Sequence, residues 1–491
     1  MNFDYSILAR ALLPEIALVA GALIVLGYDL VYGRRHSLGE RLQASLWIGG
    51  LALAAAIFDA VSIGALGPVY GGGLMLDKLA VASRVGVLVL ALITLGVAAG
   101  ARRPRHPAEY VAILLFATTG FTLMAAAHQL LIAFLALELA SLSLYVLAGF
   151  AKDRRESAEA ALKYFLFGGL ATAFLLFGFS LIYGMTGELD LSRIAVVLAH
   201  RGMSPLLALA LVMVLVAFGF KAAAAPFHLW APDAYEGAPT PSAALIASAS
   251  KLAGFTLFLR LLWPGLGALA GDVSTAGNHG GWLVLVALLA GASLLLGNLA
   301  ALAQTNIRRL LAYSAIAHTG AMLLGVIAAS PDMGGPGPLF YYVATYGLAT
   351  AGAFGVIAVL ECNGGGQKVT DLAGLSRRSP LLAACLAVFI LSLAGIPPLA
   401  GFFGKFAVFA AALKLGGLAG PAGWLTVLAI LLSAVALYYY LLVLKQALVA
   451  APNPENSGPV RVPATTAFSL LITAALIVLL GLFPSLLLRL F

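Results

Sequence analysis

The chain has 491 residues, of which 62% are hydrophobic and only 10% are charged. Together with a mean hydropathy of +1.03, this composition leaves no room for a sizeable water-soluble domain. The net charge of +8 does not indicate a nucleic-acid partner, because the basic residues collect in short loops between apolar runs. We therefore expect an all-α polytopic membrane protein.

About fourteen apolar runs approach the roughly 20 residues that cross a hydrocarbon core. They lie near residues 8–31, 42–65, 76–100, 108–127, 129–150, 158–184, 204–229, 241–263, 282–303, 307–329, 338–361, 380–415, 421–447 and 464–489. The first run carries acidic residues and has no small-residue cleavage site after its apolar part, so we expect a retained helix rather than a signal peptide.

Basic residues are distributed unevenly over the loops. With the N-terminus outside, the inner loops hold most of them, including the groups at 102–105 and 152–155. The outer loops hold few, chiefly Arg193, Arg201 and Lys414. The positive-inside rule therefore places both termini on the outer side of the membrane.

Redox and nucleotide chemistry on this chain is not indicated. Cys362 and Cys385 are the only cysteines, and neither belongs to a CxxC or Cys/His pattern. The sequence also has neither a GxGxxG after a strand nor a GxxxxGKS motif. We expect no redox cofactor, nucleotide or metal on this chain.

Two apolar runs are interrupted by proline. In the seventh, Lys221 is followed by prolines at 226, 232, 239 and 241; in the twelfth, prolines at 397 and 398 precede Lys405. Such a break persists at membrane depth only where protein or a watery cavity surrounds it, so both runs indicate a hydrated interior.

The two broken helices are five helices apart, which is compatible with two inverted repeats. We expect an N-terminal three-helix segment at 1–107, a first repeat at 108–265 (helices 4–8), a second repeat at 280–447 (helices 9–13) and a C-terminal helix at 464–491. Sequence similarity between the halves is weak, so the residues alone do not establish the repeat.

Glu138 lies in an otherwise uncharged run. An ionised side chain at that depth costs several kcal/mol, roughly 2.5 to 3.5 on insertion scales, and usually marks an ion or proton path. A protonated carboxyl that bonds a neighbouring helix is the alternative. Lys163 lies about two turns into the next run, where it could simply extend its ammonium to the surface. We hypothesise that Glu138 and Lys163 form an inter-helix ion pair that tunes the path.

Lys221, Lys251 and Lys405 also lie within long apolar runs. A desolvated ammonium releases its proton more readily than a solvated one, as a proton relay requires. The alternative is a structural lysine bonded to a carbonyl of a broken helix. Around Lys405, Gly401 and Gly404 also permit close helix packing, which is independent of transport.

The histidines are weaker candidates, because a lone buried histidine is often a core residue. His318 lies near mid-membrane, where a neutral imidazole could connect two lysine sites through water. His228 lies near the first break and is the weaker of the two. Asp233 and Glu236, in the proline-rich inner loop, are interpreted as capping or surface groups.

Three stretches closely resemble the antiporter-like membrane subunits of respiratory complex I, the proton-pumping NADH-quinone oxidoreductase. They read KAAAAPFHLWAPDAYEGAPTP, IRRLLAYSAIAHTG and LAGLSRRSPLLAACLAVFILSLAGIPPLAGFFGKF. Within that family the resemblance is to the subunit N group, because of LLPEIALVAGALIVLGYDL at the start and a lysine, Lys405, after the second break. It covers nearly the whole chain.

The resemblance implies fourteen helices, two inverted five-helix repeats and a bacterial inner-membrane location. It also implies a proton relay with Glu138 and Lys163 as an ion pair, Lys221 and Lys251 as half-channel and central lysines, His318 as a relay histidine and Lys405 as the terminal site. NADH, the flavin FMN, iron–sulfur clusters and quinone would belong to other subunits. The expected partners are membrane lipid and the other membrane subunits of complex I, including neighbouring antiporter-like ones.

Two other functions are compatible with the sequence. The first is a subunit of a multisubunit sodium/proton antiporter, which would share the lysine-bearing broken helices without electron transfer. The second is a scaffold that holds the quinone-reducing module in the membrane, with lysines that no longer carry protons.

Overall fold

The computed structural model describes residues 5–271, 280–330, 335–415, 417–418, 420–452 and 458–491, apart from the side chain of Arg34. Within these ranges, thirteen helices are long and apolar enough to cross a membrane. Two shorter apolar helices, Pro380–Ala394 and Ala400–Leu413, follow one another at the twelfth position. The predicted all-α polytopic fold is confirmed. When the two short helices are counted together as one crossing, the total is fourteen spans, which agrees with the predicted number.

The N-terminal segment contains three spans and a small hairpin. Its elements are α1 (Tyr5–Ala11), α2 (Leu13–Val31), α3 (Leu38–Ile63), β1 (Gly67–Val69), β2 (Leu74–Leu76) and α4 (Lys78–Ala99). The two strands pair antiparallel, with Gly67 opposite Leu76. The hairpin was not predicted, because each strand has only three residues.

The middle of the chain contains the first broken helix. Its elements are α5 (Pro107–Ala126), α6 (Leu130–Ala148), α7 (Arg155–Thr186), α8 (Leu191–Arg201), α9 (Pro205–Ala222), α10 (Trp230–Gly237), α11 (Thr240–Ala247) and α12 (Ala249–Arg260).

The remaining elements include the second broken helix. They are α13 (Trp282–Leu302), α14 (Ile307–Ala328), α15 (Gly337–Cys362), α16 (Leu375–Arg378), α17 (Pro380–Ala394), α18 (Ala400–Leu413), α19 (Pro421–Leu448), α20 (Ala464–Leu482) and α21 (Ser485–Leu488). The nearly complete burial of α11, α12, α14 and α15 places these four helices at the centre of the bundle. The inverted relation between the two predicted repeats stays a prediction.

Both predicted breaks are present. Helix α9 ends at Ala222, and Ala223 adopts a left-handed conformation with φ of 57° before the chain turns towards α10. Helix α17 ends at Ala394, and Gly395 has a φ of 86°, which favours glycine. The first break therefore lies three residues before the first proline of its cluster, and the second lies two residues before. At both positions the backbone is left-handed.

A third interruption was not predicted. Ser248, with φ of −115° and ψ of −83°, separates α11 from α12 within one continuous span. Its hydroxyl donates a 2.6 Å hydrogen bond to the carbonyl of Ala244, one turn back, and such a bond bends helices. No proline marks this position, so the sequence pattern reads as one straight helix.

Arg308 holds together the end of the bundle at which α14 begins. This buried guanidinium donates a 2.8 Å bond to the carbonyl of Tyr235 and a 2.9 Å bond to Glu361, and it also bonds the carbonyl of Ala238. It thereby joins the start of α14, the segment around α10 and the end of α15. Thr240 donates to the other oxygen of Glu361.

Replacing Arg308 by Met should therefore destabilise the protein strongly. The change leaves the carboxylate of Glu361 half-buried without its cation, and breaking a buried pair costs about 3 to 5 kcal/mol. We expect a lower midpoint of thermal unfolding for the purified assembly. Arg377→Met, at an exposed site, is the matched control. Equal midpoints for the two variants would contradict this role of Arg308.

Candidate functional site

Glu138 lies on α6 and is half-buried. The hydroxyl of Thr172 on α7 donates a 2.6 Å hydrogen bond to its Oε1 atom. Ser141 lies one turn further along α6, so both side chains lie on the same helix face. Helix α6 thus presents an acid and a hydroxyl towards the same neighbours.

Lys221 lies at the end of α9, one residue before the break, and its side chain is buried. Its Nζ atom donates a 3.2 Å hydrogen bond to the hydroxyl of Ser141. Lys221 therefore contacts the face of α6 on which Glu138 also lies, one turn from Ser141.

The predicted ion pair between Glu138 and Lys163 is wrong. Within the described part of the chain, Lys163 bonds Asp233 and Glu159 instead, each at 2.6 Å. The reason is position along α7, because Thr172, which contacts Glu138, lies two and a half turns or about 13 Å beyond Lys163. A lysine side chain does not cover that distance.

Asp233 joins two cations at the same end of the bundle as Arg308. It accepts a 2.6 Å bond from Lys163 and a 2.7 Å bond from Arg309, which also bonds Glu236 at 2.8 Å. Asn306 donates to Glu236 as well. Burial alone would raise the pKa of Asp233, but the hydrogen bonds from its two cations outweigh it and hold the pKa below its usual value.

Asp233 and Glu236 are interpreted from the sequence as capping or surface groups, and both side chains are partly exposed. Asp233 does lie in the first turn of α10, but its carboxylate is occupied by side chains from α7 and α14. These partners lie 70 and 76 residues away in the sequence. Pairs so distant have no signature in local spacing.

Lys251 on α12 lies at the centre of the molecule and is buried. Its Nζ atom donates to the carbonyl of Ala315 and to the hydroxyl of Thr319, both at 2.7 Å. It also lies 5.4 Å from the centre of the Tyr346 ring, within the range of a cation–π contact. All of these partners come from α14 and α15.

Thr319 connects Lys251 with the first broken helix. Its hydroxyl lies 2.8 Å from the carbonyl of Ala222, the last residue of α9. Lys221 and Lys251 also line one small cavity, whose floor includes Gly254. The space open to the centre of a water molecule there is about 10 Å³, and one water needs roughly 10 to 15 Å³. The two lysines thus share a cavity with space for about one water.

His318 is buried between two tyrosine hydroxyls. Its Nδ1 atom lies 2.7 Å from the hydroxyl of Tyr342, and its Nε2 atom lies 3.1 Å from that of Tyr440. Its ring centre is 4.9 Å from that of Tyr346, which also contacts Lys251. A neutral imidazole has one donor and one acceptor nitrogen, so the two hydroxyls must play opposite roles.

Lys405 follows the second break on α18 and is half-buried. Its Nζ atom donates a 3.0 Å bond to the carbonyl of Ala394, the last residue of α17. Lys405 and His318 line one cavity, together with Asn298. The space open to the centre of a water molecule there is about 20 Å³, which is room for roughly one water.

Five predicted residues therefore follow one another across the protein. We call Glu138, Lys221, Lys251, His318 and Lys405 the buried row. His228 is not part of it, because its side chain lies in the segment after α9 with a buried Nδ1 atom that has no hydrogen-bond partner among the described residues.

The linking side chains were not found in the sequence: Ser141, Thr172, Thr319, Tyr342, Tyr346 and Tyr440. A weak signal exists, because Ser141 lies three residues from Glu138 and Tyr346 lies four from Tyr342, which places each pair on one helix face. Within the described ranges, no group of three His, Cys, Asp or Glu residues is placed to hold a metal ion.

Comparisons with known proteins match most or all of the chain. The family profile described as NADH:quinone oxidoreductase/Mrp antiporter matches residues 127–436. NADH-quinone oxidoreductase subunit N 2 of Acidobacterium capsulatum is 49% identical and covers 99% of both chains. Subunit N 1 of Solibacter usitatus is 38% identical over 97% of this chain and 95% of the relative.

Solved structures share the fold. A chain of respiratory complex I from Thermus thermophilus with bound aureothin is 35% identical, with a TM-score of 0.79 over 97% of this chain and 98% of that one. A chain of the Mrp complex from Dietzia is 23% identical, with a TM-score of 0.79 over 98% of this chain and 95% of that one, which shows the fold alone. On the identity and coverage of its relatives, the chain belongs to the NADH-quinone oxidoreductase subunit N family.

Proposed function

We propose that this chain is a proton-translocating membrane subunit of NADH-quinone oxidoreductase, and that the buried row is its proton path. One observation carries the proposal: consecutive members of the row are joined by a hydroxyl, an aromatic ring or a small cavity. An isolated structural lysine would need none of these connections to the next ionisable group.

Each transfer needs a site that can release a proton and a neighbour that can accept it. The ammonium of Lys251 has three N–H donors, and two of them are used by Ala315 and Thr319. The third has no hydrogen-bond partner among the described residues, so a water in the cavity shared with Lys221 can accept from it. Loss of that proton leaves a neutral amine that can accept another.

Glu138, the acid at the start of the buried row, controls how readily Lys221 releases its proton. Lys221 bonds the hydroxyl one turn from Glu138, so an ionised Glu138 attracts its ammonium and a protonated one does not. Lys221 then gives up its proton more readily towards Lys251. Moving one proton against 100 mV requires about 2.3 kcal/mol, which is comparable to a change of under two pKa units at one site.

His318 and Lys405 form the second part of the proposed path. The imidazole of His318 lies between two tyrosine hydroxyls, so it can take a proton at one nitrogen while it releases one from the other. Lys405 is the terminal member and shares a cavity with His318. The carbonyl of Ala394 holds its ammonium beside the second break.

Electron transfer takes place elsewhere in this proposal. NADH, FMN, the iron–sulfur clusters and quinone are assigned to other subunits of the assembly, which drive charge changes along the buried row. The other membrane subunits of complex I are the partners of this chain. We place it in the inner membrane of a bacterium, with both termini on the outer side. The sodium/proton antiporter alternative is not favoured by relatives of subunit N type.

Lys163 lies outside the buried row and is assigned to the inner surface. Through Asp233 it is connected to Arg309 on α14, so it can respond to charges at the point where a proton would enter. Lys163 is therefore a positioning group in this proposal, and its partner is Asp233 rather than Glu138. His228 has no assigned role.

Lys221→Ala should abolish NADH-driven proton pumping in membrane vesicles that contain the assembled complex. Loss of this site interrupts the path, and a barrier higher by about 1.4 kcal/mol already lowers a rate tenfold. Lys414→Ala, at an exposed outer position, is the control. Native gels check assembly, and electron transfer is measured alongside. Normal pumping by an assembled Lys221→Ala complex would favour the scaffold function instead.

Thr319→Val should slow pumping by roughly tenfold, because Lys251 loses an acceptor and the link to Ala222 is removed while the side-chain shape is kept. Thr319→Ser keeps the hydroxyl and should restore most of the rate. The readout is the initial rate of proton uptake at several pH values. If Val and Ser variants pump equally, the hydroxyl has no part in the path.

A double-mutant cycle tests the reassigned partner of Lys163. Lys163→Met and Asp233→Asn remove the same ion pair, so their effects on the thermal midpoint of the complex should not add. Lys163→Met and Glu138→Gln act at separate places, so the changes in unfolding free energy that correspond to their midpoints should add within about 0.5 kcal/mol. The opposite pattern would restore the pair of Glu138 with Lys163.

A further inference from the structure

A large apolar groove lies on the surface of the bundle, and no residue of the buried row lines it. It has a volume of about 610 Å³ and runs between α3, α4, α15 and α20. Its walls include Val81, Val85 and Val89 of α4, Ala344 of α15 and Leu476 of α20. The three valines follow a four-residue spacing, so one face of α4 forms the length of the groove.

Charge is confined to one end of this groove. The only ionisable side chains that line it are those of Lys78, at the start of α4, and Arg489, close to the end of the chain. Both are exposed, and in the part of the chain that the structure describes neither takes part in an ion pair. The mouth of the groove is therefore cationic, and the rest is apolar.

The groove is closed where α4 and α20 meet. The hydroxyl of Thr466 on α20 donates a 2.9 Å bond to the carbonyl of Gly96, and that of Ser469 donates a 3.4 Å bond to the carbonyl of Ile93. A side chain at Gly96 would collide with Ser469, so glycine allows this close approach. The two helices thus touch in one half of the membrane and diverge in the other.

The length of the open part matches one leaflet. Lys78 and Leu90 mark its two ends on α4, and twelve residues of α-helix rise about 18 Å. Half of a hydrocarbon core is about 15 Å thick. A membrane-spanning helix from another subunit would need a groove through both leaflets, whereas an acyl chain needs only one.

We propose that this groove binds one phospholipid of the leaflet on which both chain ends lie. An acyl chain fills the space along α4, and the phosphate of the head group lies between Lys78 and Arg489. The two cations favour an anionic head group, because basic side chains at the surface attract anionic lipids. The floor of the groove includes Leu252, so the chain contacts α12 directly beside Lys251.

Electron cryo-microscopy of the whole complex in nanodiscs tests the site. One sample contains phosphatidylglycerol and the other contains only phosphatidylcholine. We expect chain-like density along α4 and head-group density between Lys78 and Arg489, with higher occupancy in phosphatidylglycerol. Lys78→Gln combined with Arg489→Gln should lower that occupancy roughly tenfold in a mixed-lipid titration followed by native mass spectrometry. Ala82→Trp should remove the chain density by filling the groove.

Matched controls separate the groove from the general surface. Lys414→Gln removes an exposed cation elsewhere, and Leu288→Trp adds an indole at an exposed position of α13. Both should leave the density unchanged. The proposal is overturned if side chains of a neighbouring subunit fill the groove, or if occupancy is the same with and without the two cations. Pumping is not the readout, so failure here is independent of the proton path.

Discussion

Every ammonium group in the hydrocarbon region must find an oxygen within hydrogen-bonding distance, and the interior of this protein is organised around that need. Lys221, Lys251 and Lys405 all find one. Lys405 takes the carbonyl of Ala394, which is free because α17 ends there and no further helical turn uses it. The second broken helix therefore exposes a backbone oxygen where a cation requires it. At the first break, Lys221 bonds a side-chain hydroxyl instead.

Much of the fold follows from the sequence, because apolar length and proline act locally. The spans and the two breaks depend on residues adjacent in the chain. The bend at Ser248 does not, since a serine in an apolar run is as compatible with a straight helix as with a bent one. The hairpin before α4 is too short to leave an alternating pattern.

The candidate site was also predicted only in part from the sequence. Glu138, Lys221, Lys251 and Lys405 are visible in the sequence because charge is rare in apolar runs, and their burial or partial burial agrees with that reading. Their partners are not visible, because packing of distant helices decides which hydroxyl lies opposite which lysine. The error over Lys163 has this origin, since depth along two antiparallel helices cannot be read from the residue types that each carries.

The hydrogen bonding of Thr319 determines how firmly α14 is held to α9 at this point. Its hydroxyl carries one hydrogen, yet two carbonyls are within reach, that of Ala315 on its own helix at 2.9 Å and that of Ala222 on α9 at 2.8 Å. It can donate fully to only one at a time. The tether between α9 and α14 at this point is thus a single exchangeable hydrogen bond, worth about 1 kcal/mol. Thermal motion breaks and re-forms such a hydrogen bond. The distance between the Lys221 and Lys251 sites can therefore fluctuate while both helices stay intact.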